Sequence, residues 1–257
     1  MKRALIACEY SGTVRDAFAA RGWDTWSCDL LPTEEPGLHY QGDVAVLLDG
    51  WTPVRHQYEC DPEGAGLCQI TGGDASECSC YGPTQDETEY LEKDGILFAR
   101  PEAHPHWDIL IAFPPCTYLC SSGLHWTTRG LRDPRLTEDS LAFVRQLLNA
   151  PIACIALENP IGCISSRIRK PDQIVQPWQF GHDASKSTCL WLKNLPPLTP
   201  TDILPKPASG RWGNQTASGQ NKLGPSPDRW KERSRTYQGF AEAMADQWSP
   251  LKTHDII

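Results

Sequence analysis

The chain has 257 residues, 40% hydrophobic and 22% charged, and no apolar run approaches the roughly 18 residues that a membrane span needs. That excludes an integral helical membrane protein and predicts one globular domain around a single large core. The formal charge of -8 is a local feature, because residues 58–94 hold ten acids and one lysine, whereas from His125 onward 17 Lys+Arg stand against 12 Asp+Glu. That second half suits a nucleic-acid partner.

The chain opens on Met1-Lys2-Arg3 followed by too few apolar residues for a secretory segment, so the reading is of a cytosolic protein. Eleven cysteines in a long chain, an odd count, point to metal binding or catalysis rather than disulfides. Arg3 to Cys8 is a short apolar run that ends in Glu9-Tyr10-Ser11-Gly12, and Val14, Ala17, Phe18 and Ala19 then follow a helical period. Trp23 to Asp29 alternates like a second strand, and Gln41-Gly42-Asp43-Val44 reads as the edge of a third unit. Strand, helix and strand within about 30 residues predict a parallel α/β opening.

From about Pro53 to His106 the rhythm breaks into Gly-rich, acidic, cysteine-bearing sequence with little periodicity, read as an insertion. Its Cys60, Cys68, Cys78 and Cys80 are close enough to wrap a tetrahedral zinc ion, with His56, His104 or His106 as substitutes, although the usual Cys-x-x-Cys knuckles are absent. A buried strand resumes at Trp107 to Phe113 and runs into Pro114-Pro115-Cys116. A helix from about Leu136 to Leu148 leads to a second buried strand, Ile152 to Leu157, which ends in Glu158-Asn159-Pro160. In open α/β sheets the carboxyl ends of strands form the ligand crevice, so Cys116 and Glu158 are expected to share one site. A thiol pinned by two prolines suits a nucleophile. Cys189 to Leu192 reads as a strand, Pro196 to Pro227 as an irregular stretch, and Tyr237 to Trp248 as a closing helix.

Pro-Pro-Cys after one strand and Glu-Asn-Pro after another, in this order, resemble the hallmark Pro-Cys and Glu-Asn-Val motifs of the cytosine-C5 DNA methyltransferases. The runs Ala7 to Gly12, Phe113 to Leu119 and Arg233 to Gly239 are similar to small phage-type members. The resemblance implies an α/β, Rossmann-like S-adenosylmethionine-dependent fold, a mostly parallel sheet flanked by helices, with a Cys-rich insertion. It divides the chain into a catalytic domain (1–52 and 107–193), the insertion (53–106), a short target-recognition region (194–231) and a C-terminal helix returning to the catalytic domain (232–257).

It also implies roles. Cys116 would add to C6 of a flipped cytosine, Glu158 would act at N3, and Lys186 stands where the family's Gln-x-Arg-x-Arg segment puts its cations. The cofactor, S-adenosylmethionine or a carboxylated analogue, would lie against Glu9, Tyr10, Ser11 and Gly12, with Asp29 and Leu30 at the ribose, Asp43 and Val44 at the adenine, and Phe113, Pro114 and Gly239 completing the site. A carboxylated group would call for a cation, with Arg15, Arg129 and Lys186 as candidates. Only about 40 residues, Asn194 to Lys231, remain to read a target, which implies a short or relaxed site on DNA. The expected protein is a monomer away from membranes. Transfer to a free cytidine nucleotide and a silent DNA-binding relative are the alternatives, and an amino-methyltransferase is disfavoured by Phe113-Pro114-Pro115-Cys116.

Overall fold

A computed structural model describes residues 1–53, 88–93, 96–101 and 106–250. They form two compact units, Met1–Leu48 with Trp107–Ile257, and Asp49–His106.

In the larger unit the apolar runs become strands because nearly every residue in them is buried. β1 (Arg3–Ala7), β2 (Asp24–Asp29), β3 (His39–Gln41), β7 (Ile109–Ala112) and β8 (Cys154–Pro160) are mutually parallel, and β10 (Thr188–Lys193) runs antiparallel to both β8 and β9 (Gln173–Val175). The sheet order is β3-β2-β1-β7-β8-β10-β9. It is the expected Rossmann-like arrangement, and its order reverses between β1 and β7, where a crevice opens at the carboxyl ends of the strands.

Helices cover both faces. Ala4, Ile6, Ile109, Ile111 and Ala156 share a core with Val14 and Phe18 of α1 (Thr13–Ala19) and with Phe240, Met244 and Trp248 of α6 (Gln238–Trp248). α3 (Arg135–Leu148) packs on β8 with Leu141, Val144 and Leu147 buried at helical spacing. Each such aliphatic or aromatic side chain stabilises the fold by about 1.5–3 kcal/mol on burial. Three short α-helices remain among the described residues, α2 (Ser121–Thr128), α4 (Ile164–Arg167) and α5 (Arg229–Ser234), and α5 buries none of its residues. No helix of the described residues is long and apolar enough to cross a membrane.

Two sequence expectations change. β8 extends through Glu158 and Asn159, which were read as a turn. The antiparallel pairing of Leu190 with Glu158 and Cys189 with Asn159 prolongs the strand past its apolar run. The insertion also holds regular structure: β4 (Thr52–Pro53), β5 (Thr88–Lys93) and β6 (Ile96–Pro101) form an antiparallel sheet in the order β4-β6-β5, with Phe98 buried and Arg100 stacked 4.6 Å from the Trp51 ring.

Between β10 and α5 the chain is irregular yet pinned. Trp212 stacks on Trp178 with ring centroids 5.6 Å apart, and Asn214 exchanges two hydrogen bonds of 2.9 Å with the backbone of Ser185. The residue before Lys186 is thereby fastened to the Pro- and Gly-rich stretch.

Candidate active site

β7 delivers Phe113, Pro114, Pro115 and Cys116 to the crevice, with the Phe113 amide donating to the Ala7 carbonyl at 2.9 Å. After Cys116 the chain makes one helical turn, in which the amides of Leu119 and Cys120 donate to the Cys116 carbonyl at 3.0 and 2.9 Å. The neighbouring loop, after β8, is laced to it. Cys163 N–H donates to Leu119 and Ser121 N–H to Ile161, and a Cβ on Gly162 would stand only 2.0 Å from the Leu119 carbonyl oxygen. Only glycine lets these backbones approach so closely.

Glu158 comes from the next strand with its carboxyl directed into a small cleft lined also by Lys186, Thr188, Tyr237 and Phe240. Burial raises its pKa above the usual carboxylate range, against the opposing charge of Lys186 and the Thr188 hydroxyl. Such a carboxyl holds a proton to higher pH and can donate it. Lys186 faces both Cys116 and Glu158, and its Nζ donates to the Arg233 carbonyl of α5 at 3.2 Å. The structure therefore gathers all three residues expected to carry chemistry.

The expected cofactor residues divide. At the ends of β1 and β2, Cys8, Asp29 and Asp43 converge, and Cys8 takes a positive φ of 59°. Burial and those two acids push the Cys8 thiol up, so it is an inert group at neutral pH. Burial also raises Asp29, which accepts the Leu31 amide at 2.9 Å. Leu30 is exposed, Asp43 caps a short helical turn through the Ala45 amide, and Val44 is buried beneath it.

The start of α1 is held from within the chain. Its leading amides do not face an open crevice, because Glu9 occupies them. The Glu9 carboxylate accepts Val14 N–H at 2.7 Å, Arg15 N–H at 3.4 Å and the Ser11 hydroxyl at 3.2 Å. Gly12 makes this reversal with φ 77°. Burial lifts Glu9 to a pKa of about 7, even against those three donors. Tyr10 is likewise engaged, its hydroxyl donating to the Lys231 carbonyl at 2.7 Å. Gly239 donates its amide to His182 Nε2 at 2.9 Å and packs against the Phe180 carbonyl, which commits it to joining α6 to the 180–182 segment.

Of the three cations considered for a carboxylated donor, Arg15 is buried and spends its guanidinium on Asp16, Ser27, Thr33 and the carbonyls of Glu35 and Pro36. Arg129 caps the end of α2 and is exposed. Lys186 alone among the three faces the Cys116 thiol. Cys60, Cys68, Cys78 and Cys80 lie outside the described residues, as do His56 and His104, and no cluster of metal ligands occurs among the described ones.

Two residues of the site were passed over. Asn159, inside the quoted Glu-Asn-Pro, donates from Nδ2 to the Pro114 carbonyl at 2.8 Å. Cys120 closes the same helical turn, its backbone amide donating to the Cys116 carbonyl at 2.9 Å. The four-residue spacing in Cys-Thr-Tyr-Leu-Cys was the available signal, since it places two side chains on one face of a helical turn.

Among solved structures, the chain is similar to a candidate DNA modification methyltransferase encoded within a prophage of E. coli, at 14% identity and a TM-score of 0.39. The match covers 82% of this chain and 54% of that one, so the chain spans about half its length. No family model matches the chain, and no curated protein matches it.

Proposed function

We propose that this protein transfers a methyl group to C5 of cytosine in DNA. The observation that carries the reading is the convergence of Cys116, Glu158 and Lys186 at the carboxyl ends of adjacent strands β7 and β8 and the start of β10. Cytosine C5 is a poor nucleophile. Addition of the Cys116 sulfur to C6 makes C5 enamine-like, while Glu158 gives its proton to N3 and stabilises the electron density driven there. After C5 is alkylated, water takes the C5 proton, the C6–S bond breaks with its electron pair on the Cys116 sulfur, and the N3 proton returns to Glu158, which restores the ring.

S-adenosylmethionine, when bound, supplies the electrophilic methyl group. The acids at the ends of β2 and β3 suit its nucleoside half, Asp29 toward ribose hydroxyls and Asp43 toward the base. The amino-acid half gains nothing from the Val14 and Arg15 amides, which Glu9 already holds.

DNA as the substrate is supported by aromatics and cations, partly to fully exposed, on α2, just after it and on α5. Trp126, Arg129 and Arg132 follow Cys116 on or just after α2, and Trp230, Arg229 and Arg233 lie on α5. A duplex cytosine buries C6 in the stack, so the base must be flipped outward to meet Cys116. The stretch around Asn214, fastened to the Ser185 backbone, is the part we assign to reading neighbouring bases. The four cysteines of the insertion are proposed to hold a structural zinc ion, which metal analysis of the purified protein tests.

The deciding experiment is mass spectrometry of nucleosides from DNA incubated with the protein and S-adenosylmethionine, beside a parallel reaction on free dCMP. Methylation at C5 in DNA alone is expected. Product in dCMP alone moves the reading to a free nucleotide, and no product in either, with the donor bound, overturns it.

A further inference from the structure

β10 is joined to its two neighbours only as far as Thr188, which stands opposite Pro160 of β8 on one side and Val175 of β9 on the other. Just before it, Ser185 to Ser187 run on beyond both ladders. That short segment carries Lys186, whose side chain shares a cleft with Glu158. Backbone that has left a sheet must find other partners for its N–H and C=O groups.

Here the partners are side chains. Asn214 Oδ1 accepts the Ser185 amide and Asn214 Nδ2 donates to the Ser185 carbonyl, both at 2.9 Å. A carboxamide in this pose reproduces the two-bond exchange of an antiparallel residue pair. Gln176 Oε1 accepts the Lys186 amide at 3.0 Å, while Gln176 Nε2 donates to the Ser187 hydroxyl at 2.7 Å. The Thr188 hydroxyl donates to the Lys186 carbonyl at 3.2 Å. All four backbone polar groups of Ser185 and Lys186 are thus met by side chains.

Both carboxamides are themselves braced. Gln176 directly follows β9, and its own N–H donates to Gln179 Oε1 at 2.7 Å. Asn214 lies in a stretch seated by the stacking of Trp212 on Trp178, by the Gly213 amide donating to Asp183 at 2.8 Å, and by the Lys222 amide donating to the Asn214 carbonyl at 2.9 Å.

The consequence falls on the cation. Ser185 and Lys186 are only half-buried, so water could satisfy their backbone without fixing it. Two carboxamides from different parts of the chain fix it instead, and the ammonium is held at its far end by the Arg233 carbonyl at 3.2 Å. Gln176 ties Lys186 to the sheet. Asn214 ties it to the largely exposed stretch assigned to DNA.

We propose that Gln176 and Asn214 are positioning residues for Lys186, and that through Asn214 the stretch assigned to DNA sets where this cation stands beside Glu158. A seated stretch keeps Lys186 in the cleft, and an unseated one releases it. The use of Lys186 in methyl transfer rests on the function proposed above; the hold on Lys186 does not.

Two measurements test this. In the first, acetylation of the full-length protein by acetic anhydride is timed by peptide mass spectrometry in the wild type, Gln176→Ala, Asn214→Ala, Asn214→Asp and Trp212→Ala. Lys186 is expected to label at least about threefold faster in the alanine variants, as its segment opens locally. The gain should be smaller in Asn214→Asp, which keeps an acceptor for the Ser185 amide. Lys193, held at the other end of β10 by the carbonyls of Ala150 and Ile152, should keep its wild-type rate. Wild-type labelling of Lys186 in Gln176→Ala and Asn214→Ala overturns the positioning role, and wild-type labelling in Trp212→Ala overturns the link to the stretch. An equal rise at Lys193 marks general loosening and overturns both.

In the second, DNA transfer by Gln176→Ala is resolved into kcat and KM. A fall of at least about tenfold in kcat with KM for DNA near wild type is expected of a misplaced group. A raised KM at wild-type kcat overturns the positioning role. Faster Lys186 labelling in the variants with no transfer by the wild type supports the hold on Lys186 and overturns the reaction assigned to it.

Discussion

The Asn159 side-chain amide donates to the Pro114 carbonyl at 2.8 Å, joining the end of β8 to the turn that presents Cys116. Asn159 is almost fully buried, so its amide holds the turn before Cys116 from a neighbouring strand without touching solvent. Replacing it by alanine leaves a buried carbonyl unsatisfied. Asn159→Ala is expected to cost about 1–3 kcal/mol in urea denaturation and to slow transfer while leaving DNA affinity near wild type.

Glu9 makes stability depend on pH. A carboxyl whose folded pKa is about 7, against an ordinary 4.5, keeps its proton in the fold while the unfolded chain has already lost its own. The contribution is full below about pH 4.5 and is lost as pH rises through 7, amounting to about 3 kcal/mol by linkage. Glu9→Gln removes the slope while keeping an acceptor for Val14. Urea midpoints at pH 5 and pH 8 should fall in the wild type relative to the variant, and parallel profiles would remove the assignment.

Glu158→Gln preserves shape and removes the acid. Transfer is expected to fall about 10²- to 10⁴-fold, while iodoacetamide still reaches the thiols of Cys116 and Cys120. A variant that retains wild-type turnover would take Glu158 out of the chemistry.

α5 is fastened to the β1 end by exposed groups. Lys231 and Arg235 reach Glu34 at 3.0 and 2.9 Å, and Lys231 lies over the Tyr10 ring. Exposed pairs of this kind add little to global stability and weaken with salt. Glu34→Gln should leave the urea midpoint near wild type and speed S-adenosylmethionine dissociation, an effect that 0.5 M salt should reproduce in the wild type, read by stopped-flow.

Continuous apolar runs made β1, β7 and the first part of β8 legible, because strands buried on both faces leave no polar alternation to obscure them. α3 was equally plain, since Leu141, Val144 and Leu147 mark one helical face. The site residues Cys116 and Glu158 could be paired from chain order alone. What the sequence did not disclose depends on distant partners. α2 was missed because Ser121 to Thr128 buries only Gly123, so no apolar face marks it. The capping of α1 by Glu9 requires the left-handed turn at Gly12, and the extension of β8 requires β10 to lie beside it. β9, three residues long, exists only as a partner for β10.

The seam at Gly162 joins the Cys116 loop to the loop after β8 through two backbone hydrogen bonds. Cys116 and Glu158 are in effect mounted on one bracket, and their spacing is set before any ligand arrives. Adjustment to an incoming strand then falls to the parts bolted on from outside, α5 and the stretch around Asn214. Variation in those parts can retune what is admitted while the reacting pair keeps its alignment.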